Sequence, residues 1–277
     1  MSDETLPNDL LGATAHWTAA VRALESARAD HLFLDPYAAA LSGEEGAAWM
    51  AQRAAASVLP MVVRTRFFDD WLQHIAQQEG IRQIVLLAAG LDTRAFRLDW
   101  PAETCITELD QLAVLESKEQ ALRSAGAQPT CARQTIAANL GVDWQERLLA
   151  SGFDSQKPSG WLLEGFLFYL SNESLARILD AATRLAAPGS MLGFDIVNSA
   201  TFTSPLTKPW IEMQARSGAP WLGMMDDPVE FLAPRDWQAV LTQPGEPEAN
   251  YGRWPYPVIP NARRDMPHHW LVTAVKR

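Results

Sequence analysis

Gly90 and Asp110 stand twenty residues apart, with Glu108 just before the acid, and their types and spacing are the first in this chain that could do chemistry. The run Ile84 to Leu87 is too apolar to alternate, as expected of a parallel strand buried on both faces, and it ends in Ala88-Ala89-Gly90. A glycine there lets the backbone come close to a ligand. Asp110 stands at the end of the next strand-like run, Thr104 to Thr107, where an acid accepts hydrogen bonds from a ribose diol. The turn AAGLDT has one glycine where a dinucleotide fingerprint has three, which argues against a pyrophosphate. A nucleoside without phosphates, such as the adenosyl group of S-adenosylmethionine, asks only for the close approach and the acid.

Two more polar residues fall at strand ends. Asn139 follows a predicted third strand, Thr130 to Ala137, and Glu164 follows a fourth, Gly160 to Leu163; Met191 to Val197 reads as a fifth. Strands alternating with helices at this interval predict an α/β fold with a doubly wound, mostly parallel sheet, in which ligands bind outside the carboxyl ends of the strands. Gly90, Asp110, Asn139 and Glu164 all fall at such ends.

Helical signals fill about eighty residues before the first strand: Thr14 to Ala29, Asp35 to Leu41, Glu44 to Ser57, and a helix opened by Pro60 and stopped at Gly80. They predict an N-terminal helical cap (1–80), followed by a ligand-binding core (81–200) and a C-terminal region (201–277) that completes the sheet and the substrate pocket, all within one compact domain. In the core, Gln111 to Arg123 and Glu173 to Ala186 read as helices, the second capped by Ser171, and Asp143 is placed to cap a helix through Leu149. Further on, Ile211 to Arg216 and Pro234 to Leu241 read as helices, and His269 to Ala274 as a final edge or antiparallel strand. Trp210, Trp221, Met224 and Met225 could wall a substrate pocket.

Composition excludes several classes. A net charge of −10 argues against nucleic acid. There is no apolar run of membrane-spanning length, and the start of the chain is acidic and polar, so a cytoplasmic location is expected. Cys105 and Cys131 read as small core residues. The five histidines lack metal-ligand spacing, so no metal is expected. No GxSxG elbow, phosphate-binding loop or conspicuous His/Asp pair is evident.

The segments TAHWTAAVRALESARADHLFLDPYAAAL, VRTRFFDD, VLLAAGLDTRAFRLDWP, ELDQLAVLESK, NLGVDW and WLLEGFLFYL, in this order from Thr14 to about Ser190, resemble the leucine carboxyl methyltransferase-like family, including its bacterial secondary-metabolism members. The resemblance implies a class I methyltransferase, Rossmann-like fold with an N-terminal helical cap, and S-adenosylmethionine as cofactor. It implies that Arg66 or Arg64 pairs with the methionine carboxylate, that Gly90 lies under the methionyl part, that Asp110 holds the ribose, that Asn139 and Leu140 frame the adenine, and that Glu164 lies near the methionyl amine. The family usually has Gly where this chain has Ala88, and Asp where it has Asn139.

The first reading is O-methylation of a small-molecule carboxylate or hydroxyl. A carboxylate acceptor is already ionised, so alignment and desolvation suffice. A second reading, drawn from relatives of this appearance, makes S-adenosylmethionine the sole substrate, cyclised to azetidine-2-carboxylate with release of methylthioadenosine. Tyr169 would face the sulfonium and Asn139 would orient the amine. A third is a sensor that binds the ligand without chemistry. The roles of Trp210, Trp221, His268 and His269 stay open.

Overall fold

Local sequence explains most of the elements. The computed structural model describes residues 8–51 and 58–277, which fall into two compact units, Met1–Arg147 and Leu148–Arg277. In the first unit three helices, α1 (Asn8–Ser26), α2 (Ala38–Ala51) and α3 (Val58–Gln77), precede any strand. Gly43 breaks α2 at φ 54°, and Gly80, at φ 72°, follows the end of α3. The expected run to Ser57 extends into residues 52–57, outside the described residues. Phe68, Leu72, Ile75 and Ala76 of α3 recur at helical spacing and are fully buried.

Three parallel strands follow: β1 (Gln83–Leu87), β2 (Cys105–Asp110) and β3 (Ala132–Ala137), side by side in the order β3-β2-β1. Between them lie α4 (Arg94–Arg97) and α5 (Leu112–Ser124), and α6 (Trp144–Ala150) comes next. Ile84, Val85 and Ile106 have no exposed surface, as the unalternating apolar runs predict. Glu108 is equally buried, because Lys118 of α5 donates to it at 2.6 Å and Arg133 of β3 forks onto it at 2.9 and 2.7 Å. It ties α5 and β3 to β2. Cys105 lies in β2 and Cys131 just before β3, both half-buried and free.

The second unit holds β4 (Ser159–Leu163), α7 (Asn172–Leu185), β5 (Met191–Val197), the short helices α8 (Ala200–Thr203), α9 (Lys208–Arg216) and α10 (Pro228–Leu232), and strands β6 (Trp237–Thr242) and β7 (His269–Lys276). Its strand order is β4-β5-β7-β6, with β4 parallel to β5 and β7 antiparallel to both neighbours. Ser171 caps α7 as expected, its hydroxyl accepting from the Ser174 amide at 3.2 Å. Leu175, Ile178, Leu179, Ala182 and Leu185 form the buried stripe of that helix.

Two expectations need correction. Pro234 to Leu241 is not a helix: after one tight turn, Asp236 enters the left-handed region at φ 63° and the chain runs on as β6. Trp237, Val240 and Leu241 match helical spacing, but pairing with β7 from Trp237↔Lys276 to Thr242↔Leu271 overrides it. The final strand takes the antiparallel form of its two expected alternatives and lies between β5 and β6. Asp143 turns its carboxylate to the Asn139 amide and to Arg147 rather than to the amides of α6.

Candidate functional site

In the first unit the site begins with the turn after β1. Ala88 and Gly90 both adopt left-handed backbone, at φ 55° and 48°, folding the turn back so that the Gly90 amide points at the end of β2. There it donates to Asp110 Oδ2 at 2.7 Å, while the Gln111 amide donates to Oδ1 at the same distance. Each carboxylate oxygen has two lone pairs, so one backbone donor apiece leaves capacity for a vicinal diol. Burial pushes the Asp110 carboxyl above its ordinary value, against the downward pull of these amides and of Lys118.

The ends of the strands are stitched together. The Ala89 amide donates to the Leu109 carbonyl at 3.1 Å, and the Ala138 amide to the Asp110 carbonyl at 2.9 Å. That places Asn139 and the buried Leu140 one step past Asp110. Asn139 Oδ1 accepts from the Gly141 amide at 2.9 Å and its own amide donates to Asp143 at 3.0 Å. Its side-chain NH2 has no protein partner among the described residues, so the group it offers a ligand is a donor.

The two candidate arginines of α3 differ. Arg66 is half-exposed and donates to Asp70 at 2.9 Å and to the Leu32 carbonyl at 2.5 Å. Arg64 is buried, with 7% of its surface exposed. Of the two, Arg64 offers the lower-dielectric setting for a carboxylate.

A charge network missing from the sequence reading holds the turn. Asp69 of α3 accepts from Arg94 at 2.7 Å and from both terminal nitrogens of Arg97 at 2.6 and 2.7 Å. Asp35 accepts from Arg22 at 2.8 Å and from the Thr93 hydroxyl at 2.6 Å, and Arg22 also donates to the Leu91 carbonyl at 2.6 Å. Burial would raise the Asp92 carboxyl, but Arg94, Lys118 and Arg97 outweigh it and bring it down to about 2. The helices before β1 thus grip the segment right after Gly90. The charges themselves were visible in RTRFFDD and LDTRAFRLD, but Asp69 lies 25 and 28 positions from Arg94 and Arg97, so their pairing was not.

The second unit carries Glu164, directly after β4, and Tyr169, in a one-turn 3-10 helix (Leu167–Tyr169). Both are half-buried. Phe168 and Tyr169 meet edge to face at 4.9 Å, Phe168 lies 4.2 Å from Trp221, and Trp221 lies 6.2 Å from Trp210. The aromatic residues expected to wall a pocket are therefore one cluster with the turn after β4.

A His/Asp pair, not evident in the sequence, is present. Asp195 of β5, without exposed surface, accepts from the Gly165 amide at 2.6 Å through Oδ1 and faces His269 Nε2 at 3.0 Å through Oδ2. Asp195 interrupts the apolar run MLGFDIV, but only the β5–β7 pairing reveals its partner. His268 stacks on Trp270 at 4.4 Å and contacts Gln243 at 2.7 Å and the Arg263 carbonyl at 3.0 Å, a packing role. Among the described residues no helix is long and apolar enough to cross a membrane.

The profile of the family described as leucine carboxyl methyltransferase matches residues 15–183. A protein of Mycobacterium bovis BCG, by name an S-adenosyl-L-methionine-dependent methyltransferase, is 38% identical over 268 residues, covering 88% of this chain and 85% of its own. One of the same name from Mycolicibacterium vanbaalenii is 35% identical over 282 residues, covering 92% and 91%. Two solved structures share the fold. A DUF574 family protein of Streptomyces avermitilis has a TM-score of 0.62 at 18% identity, covering 94% of this chain and 97% of that one. A protein of Thermobifida fusca, by name a methyltransferase, has a TM-score of 0.61 at 17% identity, covering 99% and 97%.

Proposed function

Because this chain belongs to the leucine carboxyl methyltransferase family, an S-adenosylmethionine-dependent methyltransferase family of α/β fold, we propose that it methylates an oxygen of a small-molecule carboxylate or hydroxyl in bacterial secondary metabolism. The observation that carries the cofactor assignment is the turn in which the Gly90 amide and the Asp110 carboxylate meet at 2.7 Å, with acceptor capacity left on the carboxylate. That donor set fits an adenosyl group: a carboxylate for the ribose diol, the Asn139 NH2 and the buried Leu140 for the adenine, and no crowd of bare amides of the kind a pyrophosphate needs. S-adenosylmethionine supplies an electrophilic methyl group on a sulfonium. Asp110 accepts from the ribose hydroxyls, and Arg64, with a planar fork in a buried setting, pairs with the methionyl carboxylate. The names of the relatives favour methyl transfer over cyclisation. Two free, half-buried cysteines fit a reducing, cytoplasmic setting. Calorimetric titration of S-adenosylmethionine into the wild type and an Asp110→Asn variant tests the assignment; equal affinities would remove it.

A further inference from the structure

Asp195 and His269 are arranged as more than a strand pin. The buried carboxylate can only accept, so the ring nitrogen facing it, Nε2, carries the proton. With the proton on Nε2, the lone pair lies on Nδ1, which has no protein partner among the described residues, on a side chain 23% exposed. The second oxygen of Asp195 is fixed by the Gly165 amide, so the carboxylate cannot turn away from the ring. His269 pairs with Val197, the last residue of β5, at the carboxyl end of that strand, where sheets of this class receive their ligands.

The aromatic cluster gathers at the same end of this unit. Met225 is tied to the Val197 carbonyl at 2.8 Å and Leu222 to the Phe168 carbonyl at 2.7 Å, bringing Trp221 and Phe168 to the turn after β4. Among the described residues the buried Trp221 indole N–H has no partner, and neither do the side-chain oxygen and nitrogen of Gln214, one helical turn beyond Trp210 on α9 and without exposed surface. Ring faces with unspent donors and acceptors suit a flat, polar-substituted ligand.

We infer that His269 is a catalytic base and that the acceptor is a phenol, with Asp195 as its positioning residue. This rests on the methyl-transfer reading above and narrows it. A carboxylate acceptor gives a base nothing to do, whereas a phenol, which ionises near pH 10, asks far less of a positioned histidine than an aliphatic alcohol does, and it is the flat, polar-substituted ligand that the ring faces suit. In the step, the phenolic proton passes to His269 Nδ1 as an oxygen lone pair forms the O–CH3 bond. The S–CH3 bond breaks with its electrons staying on sulfur, giving a neutral thioether, the aryl methyl ether and a protonated imidazole that returns its proton to water.

The test combines turnover with a readout independent of it. Protein with S-adenosylmethionine is given a panel of substituted phenols and benzoic acids, and S-adenosylhomocysteine is measured by mass spectrometry. Phenols are expected to turn over, and His269→Gln, whose amide can still donate to Asp195, is expected to lower kcat on them about 100-fold or more, with S-adenosylmethionine affinity within about twofold. Independently, nitrogen NMR of histidine-labelled wild type without cofactor is expected to show the Nε2–H tautomer for His269, with an Nδ1 signal that moves when 4-nitrophenol is added; Asp195→Asn is expected to mix the tautomers. An Nδ1–H tautomer, or an Nδ1 signal indifferent to 4-nitrophenol, would overturn the inference even if the variants fail to fold. Methylation of benzoic acids alone, undiminished in His269→Gln, would overturn it and leave methyl transfer standing. S-adenosylhomocysteine from no acceptor would overturn both.

Discussion

The Gly90 amide donates to Asp110 Oδ2 at 2.7 Å across the ends of two adjacent parallel strands, so the residue that shapes the turn and the residue assigned to the ribose hold each other in place. An Asp110→Asn variant keeps the size of the side chain but has one acceptor oxygen for two backbone donors and a diol. Removing charge-assisted hydrogen bonds of this kind costs about 1.5 to 3 kcal/mol, so S-adenosylmethionine affinity is expected to fall roughly 10- to 100-fold by calorimetry. A change of less than twofold would argue that the ribose lies elsewhere.

The same carboxylate sets a pH dependence of binding. Burial raises the Asp110 carboxyl above its ordinary value of 3.8, so it takes up a proton sooner on acidification than a solvated aspartate would. The ionised form accepts from the diol. Affinity is therefore expected to be full at neutral pH and to decline as pH falls through that raised value. Calorimetry between neutral and acidic pH checks this; affinity flat down to the range of an ordinary aspartate contradicts it.

Folding stability follows a different acid group. Asp92 titrates at about 2 in the folded protein against 3.8 unfolded, so it contributes stability that is present above 3.8 and lost as pH falls through about 2. The shift corresponds to about 2 kcal/mol. Asp92→Asn is expected to lose about that much in denaturant unfolding at pH 7, and the gap between variant and wild type should close as pH drops toward 2. A gap that persists unchanged would place its origin in something other than charge.

Asp69→Ala would leave Arg94 and Arg97 together without their shared carboxylate, both side chains only 3% exposed. Arg94 keeps Asp92, and stranding the buried Arg97 charge costs about 3 to 5 kcal/mol. We expect marked thermal destabilisation and loss of S-adenosylmethionine binding together, because this network grips the segment after Gly90. Destabilisation with unchanged affinity below the new melting temperature would separate the network from the site.

Ala88 occupies a left-handed conformation at φ 55°. That conformation costs an L-residue about 1 to 2 kcal/mol, and a glycine there loses about 0.5 to 1 kcal/mol more backbone entropy on folding. Ala88→Gly is therefore expected to stabilise by roughly 0.5 to 1 kcal/mol, read as a higher urea midpoint. A lower midpoint would mean that the Ala88 methyl contributes packing that outweighs the strain.

The sequence made β1, β4 and β5 legible because their apolar runs end in glycine or polar residues, β2 and the polar β3 (ARQTIA) were read from their place between helices, and the twenty-residue spacing of Gly90 and Asp110 carried the first half of the site. β6 was misread because WQAVL fits a helical period as well as an alternating one, and only its pairing with β7 decides. The Asp195–His269 pair was invisible for a related reason: its members lie 74 positions apart and meet through strand register, which no local pattern encodes. The network of Asp35, Asp69, Asp92 and their arginines was half visible, as charges in apolar company whose partners only the fold supplies.

The measurement that bears most directly on the central claim is incubation of the purified protein with S-adenosylmethionine, alone and with an acceptor panel, followed by mass spectrometry against an enzyme-free blank. Methyl transfer predicts S-adenosylhomocysteine and a product heavier by one methylene, both dependent on an added acceptor. Methylthioadenosine formed with no acceptor present would contradict it and establish cyclisation of the cofactor instead.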